Sequence, residues 1–226
     1  HKPLALAAFL LSLPAAAALP ELQAPDGVRE LLQSYLELDE VADASAQVAF
    51  ERRMQRDVEK LLATEGYFSP RVSLRQGEDG LLLEVDPGPR SLVGSVEVEV
   101  IGDLDAARRA ALVDSWKLKS GQPFRQGDWD DAKQSLLADL LAVDYAGARL
   151  QQSSAEVEVE AQRVDLRVVV VAGPRYRFGE LRISGLERYS EELVGQFNRS
   201  VKTGDEYREE SLLALQTALQ NTPYFS

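Results

Sequence analysis

Gly88-Pro89-Arg90-Ser91-Leu92-Val93-Gly94 leads into Val96, Val98 and Val100, which alternate with Glu97 and Glu99. Gly173-Pro174-Arg175-Tyr176-Arg177-Phe178-Gly179 leads into Leu181 and Ile183 in the same way, 85 positions later. Two further echoes keep the same order. Gly121-Gln122-Pro123-Phe124 returns as Gly204-Asp205-Glu206-Tyr207, 83 positions on. Tyr67-Phe68-Ser69 returns as Tyr224-Phe225-Ser226 after 157 positions, with Tyr145 between. Three echoes in one order indicate tandem modules of roughly eighty residues.

Inside the second module the period switches from strand to helix and back. Val96, Val98 and Val100 have the two-residue period of a half-buried strand. Leu104, Ala107, Ala111 and Leu112 have helical spacing, and Gly121 with Pro123 marks a turn. Trp129, Ala132, Leu136, Leu140 and Val143 lie on one face of a longer helix. Val157 and Val159 alternate with Glu156, Glu158 and Glu160, and Val164 to Val171 is a β-branched run. These read as antiparallel strands joined around Ala161-Gln162-Arg163. The module is strand, helix, helix, strand, strand.

The first module repeats that order. Its opening strand falls at Leu19 to Ala24 and is expected to be short, because Pro20 and Pro25 bracket it. Phe50, Met54, Val58, Leu61 and Leu62 form the apolar face of its second helix. Val72 to Arg75 and Leu81 to Val85 form its closing hairpin. The third module has a predicted strand over Tyr176 to Ser184 and helices near Ser190 to Phe197 and Tyr207 to Gln220. It lacks both closing strands, so the natural chain is expected to continue. The modules span 19–90, 91–174 and an incomplete 175–226.

Ahead of them, Lys2, the apolar run Leu4 to Leu13 and the small residues Ala15 to Ala18 have the layout of a secretory signal peptide over 1–18. The rival, a membrane-spanning helix, needs about 20 apolar residues, and Pro14 interrupts this run. Composition narrows the function further. The 226 residues are 45% apolar and carry a net charge of −12, the wrong sign for a nucleic-acid partner. Cysteine is absent and His1 is the single histidine. Thiolate chemistry, imidazole bases and zinc sites are thereby excluded.

A βααββ repeat of this length behind a signal peptide resembles the POTRA (polypeptide-transport-associated) domain. The stretch from about Asp39 to Ser226 is similar to the periplasmic part of the TamA family. The resemblance rests on Glu65-Gly66-Tyr67-Phe68-Ser69-Pro70, Gly127-Asp128-Trp129, Gly173 to Gly185 and Gly204-Asp205-Glu206-Tyr207. It implies an α+β fold of tandem POTRA domains, each with a three-stranded mixed sheet on two helices, and an outer-membrane barrel absent from this chain. It implies no enzyme and no cofactor. The implied partners are unfolded outer-membrane client polypeptides and a TamB-like inner-membrane-anchored protein, at the periplasmic face of the outer membrane. The implied tasks are insertion of autotransporters and other outer-membrane proteins, and phospholipid movement. BamA-type insertases and two-partner secretion transporters share the domain; a free periplasmic chaperone is a different class.

A three-stranded sheet keeps two free edges, and such an edge accepts an extended segment by β-augmentation. The second strand is the receptive edge in the family. Here it maps onto Val72, Ser73, Leu74 and Arg75 in module one. In module two it maps onto Ala148, Arg149, Leu150, Gln151, Gln152, Glu156, Val157 and Glu158, running on to Glu160. The alternative reading is of plain hairpins blunted by charge. Gly88-Pro89 and Gly173-Pro174 read as inter-module hinges, since their glycines lack the spacing of a phosphate loop. Arg52, Arg53, Arg56 and Lys60 form a basic stripe that reads as a solvated face. Glu209 and Glu210 open a predicted helix, where carboxylates suit the dipole. Trp116 and Trp129 read as core.

Overall fold

The computed structural model describes residues 19–78, 80–185 and 190–222. They belong to two compact units, His1–Arg90 and Ser91–Ser226. The signal-like segment 1–18 and the echo at Tyr224-Phe225-Ser226 lie outside the described residues.

The first unit runs β1 (Glu21–Gln23), α1 (Asp26–Tyr35), α2 (Ala44–Ala63), β2 (Arg71–Gln76) and β3 (Leu81–Asp86). Its sheet has the order β1-β3-β2, with β1 parallel and β2 antiparallel to β3. β1 is three residues long, as its flanking prolines predict. Asp43 caps α2 by accepting the Ala46 N–H at 2.8 Å. Below the cap, Phe50, Met54, Val58 and Leu62 recur at every fourth position and are all buried. They meet Leu81, Leu83 and Val85 of the central strand, with Val28 and Leu32 of α1 closing the core.

The second unit opens with β4 (Leu92–Ile101), α3 (Ala106–Asp114), α4 (Gln126–Leu141), β5 (Arg149–Glu158) and β6 (Arg163–Val171). Its sheet order is β4-β6-β5, again parallel then antiparallel. The central position of β6 explains its β-branched run: Val164, Leu166, Val168, Val169 and Val170 are all buried. A bulge interrupts β4 between Val93 and Val96. There Asp165 Oδ1 accepts the Ser95 N–H at 2.6 Å and its hydroxyl at 2.9 Å. Trp116 and Trp129 pack edge-to-face at 5.8 Å between ring centroids, both buried.

The unit continues through α5 (Glu191–Phe197) and α6 (Glu209–Gln220). Between β6 and α5 the expected strand over Tyr176 to Ser184 does not form. Among the described residues no strand lies beside it, so there is no ladder to complete. What does recur is the pairing of its first residues with a later turn. Val93 N–H donates to Gln122 O, Gly121 N–H to Val93 O, and Phe124 N–H to Ser91 O, at 2.7–3.0 Å. Phe178 N–H to Asp205 O, Gly204 N–H to Phe178 O and Tyr207 N–H to Tyr176 O repeat these three bonds. The same 85- and 83-residue displacements relate the two sets. Gly121 and Gly204 both take positive φ, 83° and 92°, which the turn requires.

Candidate interaction edges

Each sheet has two outer strands, giving the edges of β1, β2, β4 and β5. β1 offers only three residues. The edge of β4 is obstructed where Arg109 of α3 reaches across it. The Arg109 guanidinium donates to Val100 O and, at 3.1 Å, to Gly102 O.

In β2, Val72, Ser73, Leu74 and Arg75 lie on the outer strand as expected, but the edge is occupied. The Val72 N–H donates to Gln55 Oε1 at 3.0 Å and the Leu74 N–H to Glu51 Oε1 at 3.2 Å. Gln55 Nε2 in turn donates to Pro70 O at 3.1 Å. Arg75 is drawn back onto Glu84 of the central strand by an ion pair.

In β5 the expected segments prove to be one continuous ten-residue strand. Arg149, Leu150, Gln151, Gln152, Glu156, Val157 and Glu158 are all exposed. Gln151 forms a bulge between Leu150 and Gln152. Ala148 falls outside the strand: it is buried, and its N–H donates to Tyr145 O at 2.9 Å. Val159 and Glu160 belong to the turn into β6 rather than to the edge. Among the described residues, no side chain hydrogen-bonds to the backbone of 149–158.

Electrostatics around this edge are acidic. Glu156 stands opposite Asp165, and Glu158 is paired with Arg163 at 3.0 Å. The Ser95 N–H, then the Ser95 hydroxyl, hold the Asp165 carboxyl below its ordinary value, with Arg163 adding to this. On the rest of that face Arg167 bridges Glu97 and Glu99 at 3.4 and 3.8 Å. Among the described residues, no group of His, Cys, Asp and Glu is placed to hold a metal ion, and no helix is long and apolar enough to cross a membrane.

The expected hinge residues sit in well-bonded surroundings. Gly88 has φ +69°, and its N–H donates to Asp86 Oδ1 at 3.0 Å. Gly173 has φ +76° and precedes Pro174. Just beyond it, Arg175 Nε donates to the Tyr145 hydroxyl at 3.1 Å and the Tyr176 N–H donates to Asp144 O at 2.7 Å. The Asp144 N–H donates to Tyr207 O at 3.0 Å, and the Glu209 N–H to Ala142 O at 2.9 Å. The segment after Gly173-Pro174 is therefore laced to the end of α4. Of the basic stripe, Arg53 leaves the group to pair with Asp39 at 2.6 Å, over the Phe50 ring. Glu209 and Glu210 occupy the first turn of α6.

Sequence reading did not single out Glu51, Gln55 and Arg109 as edge-covering residues. Their signal was the i, i+4 spacing of Glu51 and Gln55, but its meaning depends on which way α2 is rotated over the sheet.

No known family profile matches the sequence. Among solved structures, POTRA domains 3–5 of BamA from Haemophilus influenzae are similar, with a TM-score of 0.52 and 16% identity. The match covers 95% of this chain and 90% of that one. POTRA domains 1–3 of Omp85 from Anabaena match at a TM-score of 0.42 and 13% identity, over 90% of this chain and 83% of that one. The α+β architecture, with two three-stranded mixed sheets and helices, matches the first of these. The fold of this chain is that of POTRA domains.

Proposed function

We propose that this chain is the periplasmic interaction region of an outer-membrane protein assembly factor of TamA type. It takes extended client polypeptides onto a sheet edge and engages a TamB-like partner anchored in the inner membrane. In this reading segment 1–18 directs export. Residues 19–90 and 91–174 are successive POTRA modules, and 175–226 carry elements of a third. The client tasks are insertion of autotransporters and other outer-membrane proteins, with phospholipid transport alongside.

The observation that carries the reading is the β5 edge: a ten-residue strand, eight residues of it exposed, with no hydrogen-bond partner beyond β6 among the described residues. Main-chain bonds are indifferent to client sequence, which suits a receptor for many clients. Four such bonds at about 1 kcal/mol each correspond to a dissociation constant near the millimolar range. A client is held loosely and passed on.

Photo-crosslinking in the source cells tests this. Benzoyl-phenylalanine at Gln152 or Glu156 is expected to form adducts with outer-membrane polypeptides during their assembly, and at exposed Gln134 on α4 to form few. Equal adducts at all three positions, or none at the edge, would contradict the reading.

A further inference from the structure

We propose that the first unit closes its own β2 edge with side chains that imitate an added strand, so that extended clients are received on β5 of the second unit. The proposal rests on the reading that clients bind as added strands.

The geometry of β2 explains the imitation. Alternate residues of a strand are about 6.8 Å apart, and helix residues four apart rise about 6 Å. Glu51 and Gln55 of α2 therefore stand in step with Leu74 and Val72. Each accepts one outward N–H. The Gln55 carboxamide does more, because it carries one acceptor and a donor like a peptide group. It accepts from Val72 and donates to Pro70 O, the exchange that a neighbouring strand makes.

The second unit offers an internal comparison. A displacement of 78 residues carries the buried Met54, Val58 and Leu62 onto the buried Ala132, Leu136 and Leu140. It also carries Arg71, the first residue of β2, onto Arg149, the first residue of β5. Gln55 then corresponds to Lys133 and Glu51 to Trp129. Neither can accept an N–H: an ammonium and an indole N–H only donate. Lys133 is already engaged, 2.8 Å from Asp130 Oδ1 and 4.7 Å above the Trp129 ring. Its hydrogen bond is the first cause that holds the Asp130 carboxyl below its ordinary value, with Gln126 next. In the register, Leu150 faces Val170 and Ser153 faces Val168, as Val72 faces Val85 and Leu74 faces Leu83. The bulge at Gln151 takes up the extra residue.

The side chains of β5 state what fits there. Leu150, Ala155 and Val157 face the same way as the buried Val170, Leu166 and Val164 opposite them. Glu156 and Glu158 face the other way, with Asp165 beside them. The occupant is an extended segment that alternates apolar residues with basic or neutral ones. An acidic segment is repelled.

The test uses the whole chain, ¹⁵N-labelled, and a decapeptide of alternating valine and lysine with a terminal nitroxide. Its expected result is broadening of the amides of 150–158 and none over 71–76. Glu51→Ala with Gln55→Ala is expected to add broadening at Val72 and Leu74. Lys133→Gln, which supplies an acceptor, is expected to weaken binding at β5 about threefold. Amide exchange checks the closure without any peptide. The Val72 and Leu74 amides are expected to exchange at least tenfold faster in the double variant, and the Val72 amide in Gln55→Lys should the double variant fold poorly. Equal broadening of β2 and β5 in the unaltered chain would overturn the proposal, as would exchange at Val72 unchanged by these variants. No broadening at either edge, with the exchange result as expected, would instead overturn the client-binding reading and leave the closure of β2 standing.

Discussion

Arg90 and Arg175 hold matching places in the two Gly-Pro-Arg turns, and each stacks over a tyrosine that follows the second helix of its module. The Arg90 guanidinium lies 5.7 Å from the Tyr67 ring centre, and its Nε donates to Glu65 O at 2.8 Å. The Arg175 guanidinium lies 5.9 Å from the Tyr145 ring centre. The Tyr145 hydroxyl also donates to Asp103 O at 2.8 Å while accepting from Arg175. Tyr145→Phe would remove both hydrogen bonds beside a buried ring, a loss of about 1–2 kcal/mol, read by urea unfolding. An unchanged midpoint would contradict this. Gly88→Ala is expected to cost about 1–2 kcal/mol, because φ is +69° and a Cβ would meet Ser69 O at 3.0 Å. Asp165 gives a pH signature. Its carboxyl is held below the ordinary value by Ser95, so its stabilising contribution is present above about pH 4 and is lost as the pH falls through its lowered value. Asp165→Asn is expected to lower stability at pH 7, with the deficit shrinking as the pH falls below the ordinary carboxylate range. A deficit that is constant across that range would refute the linkage.

At the scale of elements, the helices were the most legible part of the sequence. Phe50, Met54, Val58 and Leu62, and likewise Trp129, Ala132, Leu136 and Leu140, repeat at helical spacing because each face has a sheet to cover. Trp129→Ala is accordingly expected to destabilise the second unit by about 3–5 kcal/mol, seen as a lowered unfolding midpoint; a loss under about 1 kcal/mol would place the indole outside the core. Strand limits were harder to see. Val159 and Glu160 continue the apolar–acidic alternation of β5, yet they turn, since alternation says nothing about where pairing stops. Tyr176 to Ser184 has the pattern of a strand without a strand beside it. The status of the two edges was not legible at all. Val72 to Arg75 and Leu150 to Glu158 read alike as outer strands, and what separates them is the residue type at two places on the preceding helix, the acceptors Glu51 and Gln55 in one case and the donors Trp129 and Lys133 in the other. Only the packed geometry brings the Glu51 and Gln55 side chains to the β2 edge.

At the scale of the molecule, if the proposed function holds, the net charge of −12 and the acidic flank of β5 would favour clients rich in Lys and Arg on one face. Binding of a basic peptide is expected to weaken severalfold between 50 and 500 mM salt, as exposed charges are screened. Salt-independent binding would mean that backbone bonds alone hold the client. The proposed function would put this chain on the periplasmic side of an outer-membrane assembly factor. The most direct test is on the native protein: an antibody raised to residues 91–172, fractionated source cells, and gels run with and without boiling. The account predicts an outer-membrane band well above 24.9 kDa that shifts on heating. A soluble periplasmic band near 24.9 kDa that ignores heating would contradict it.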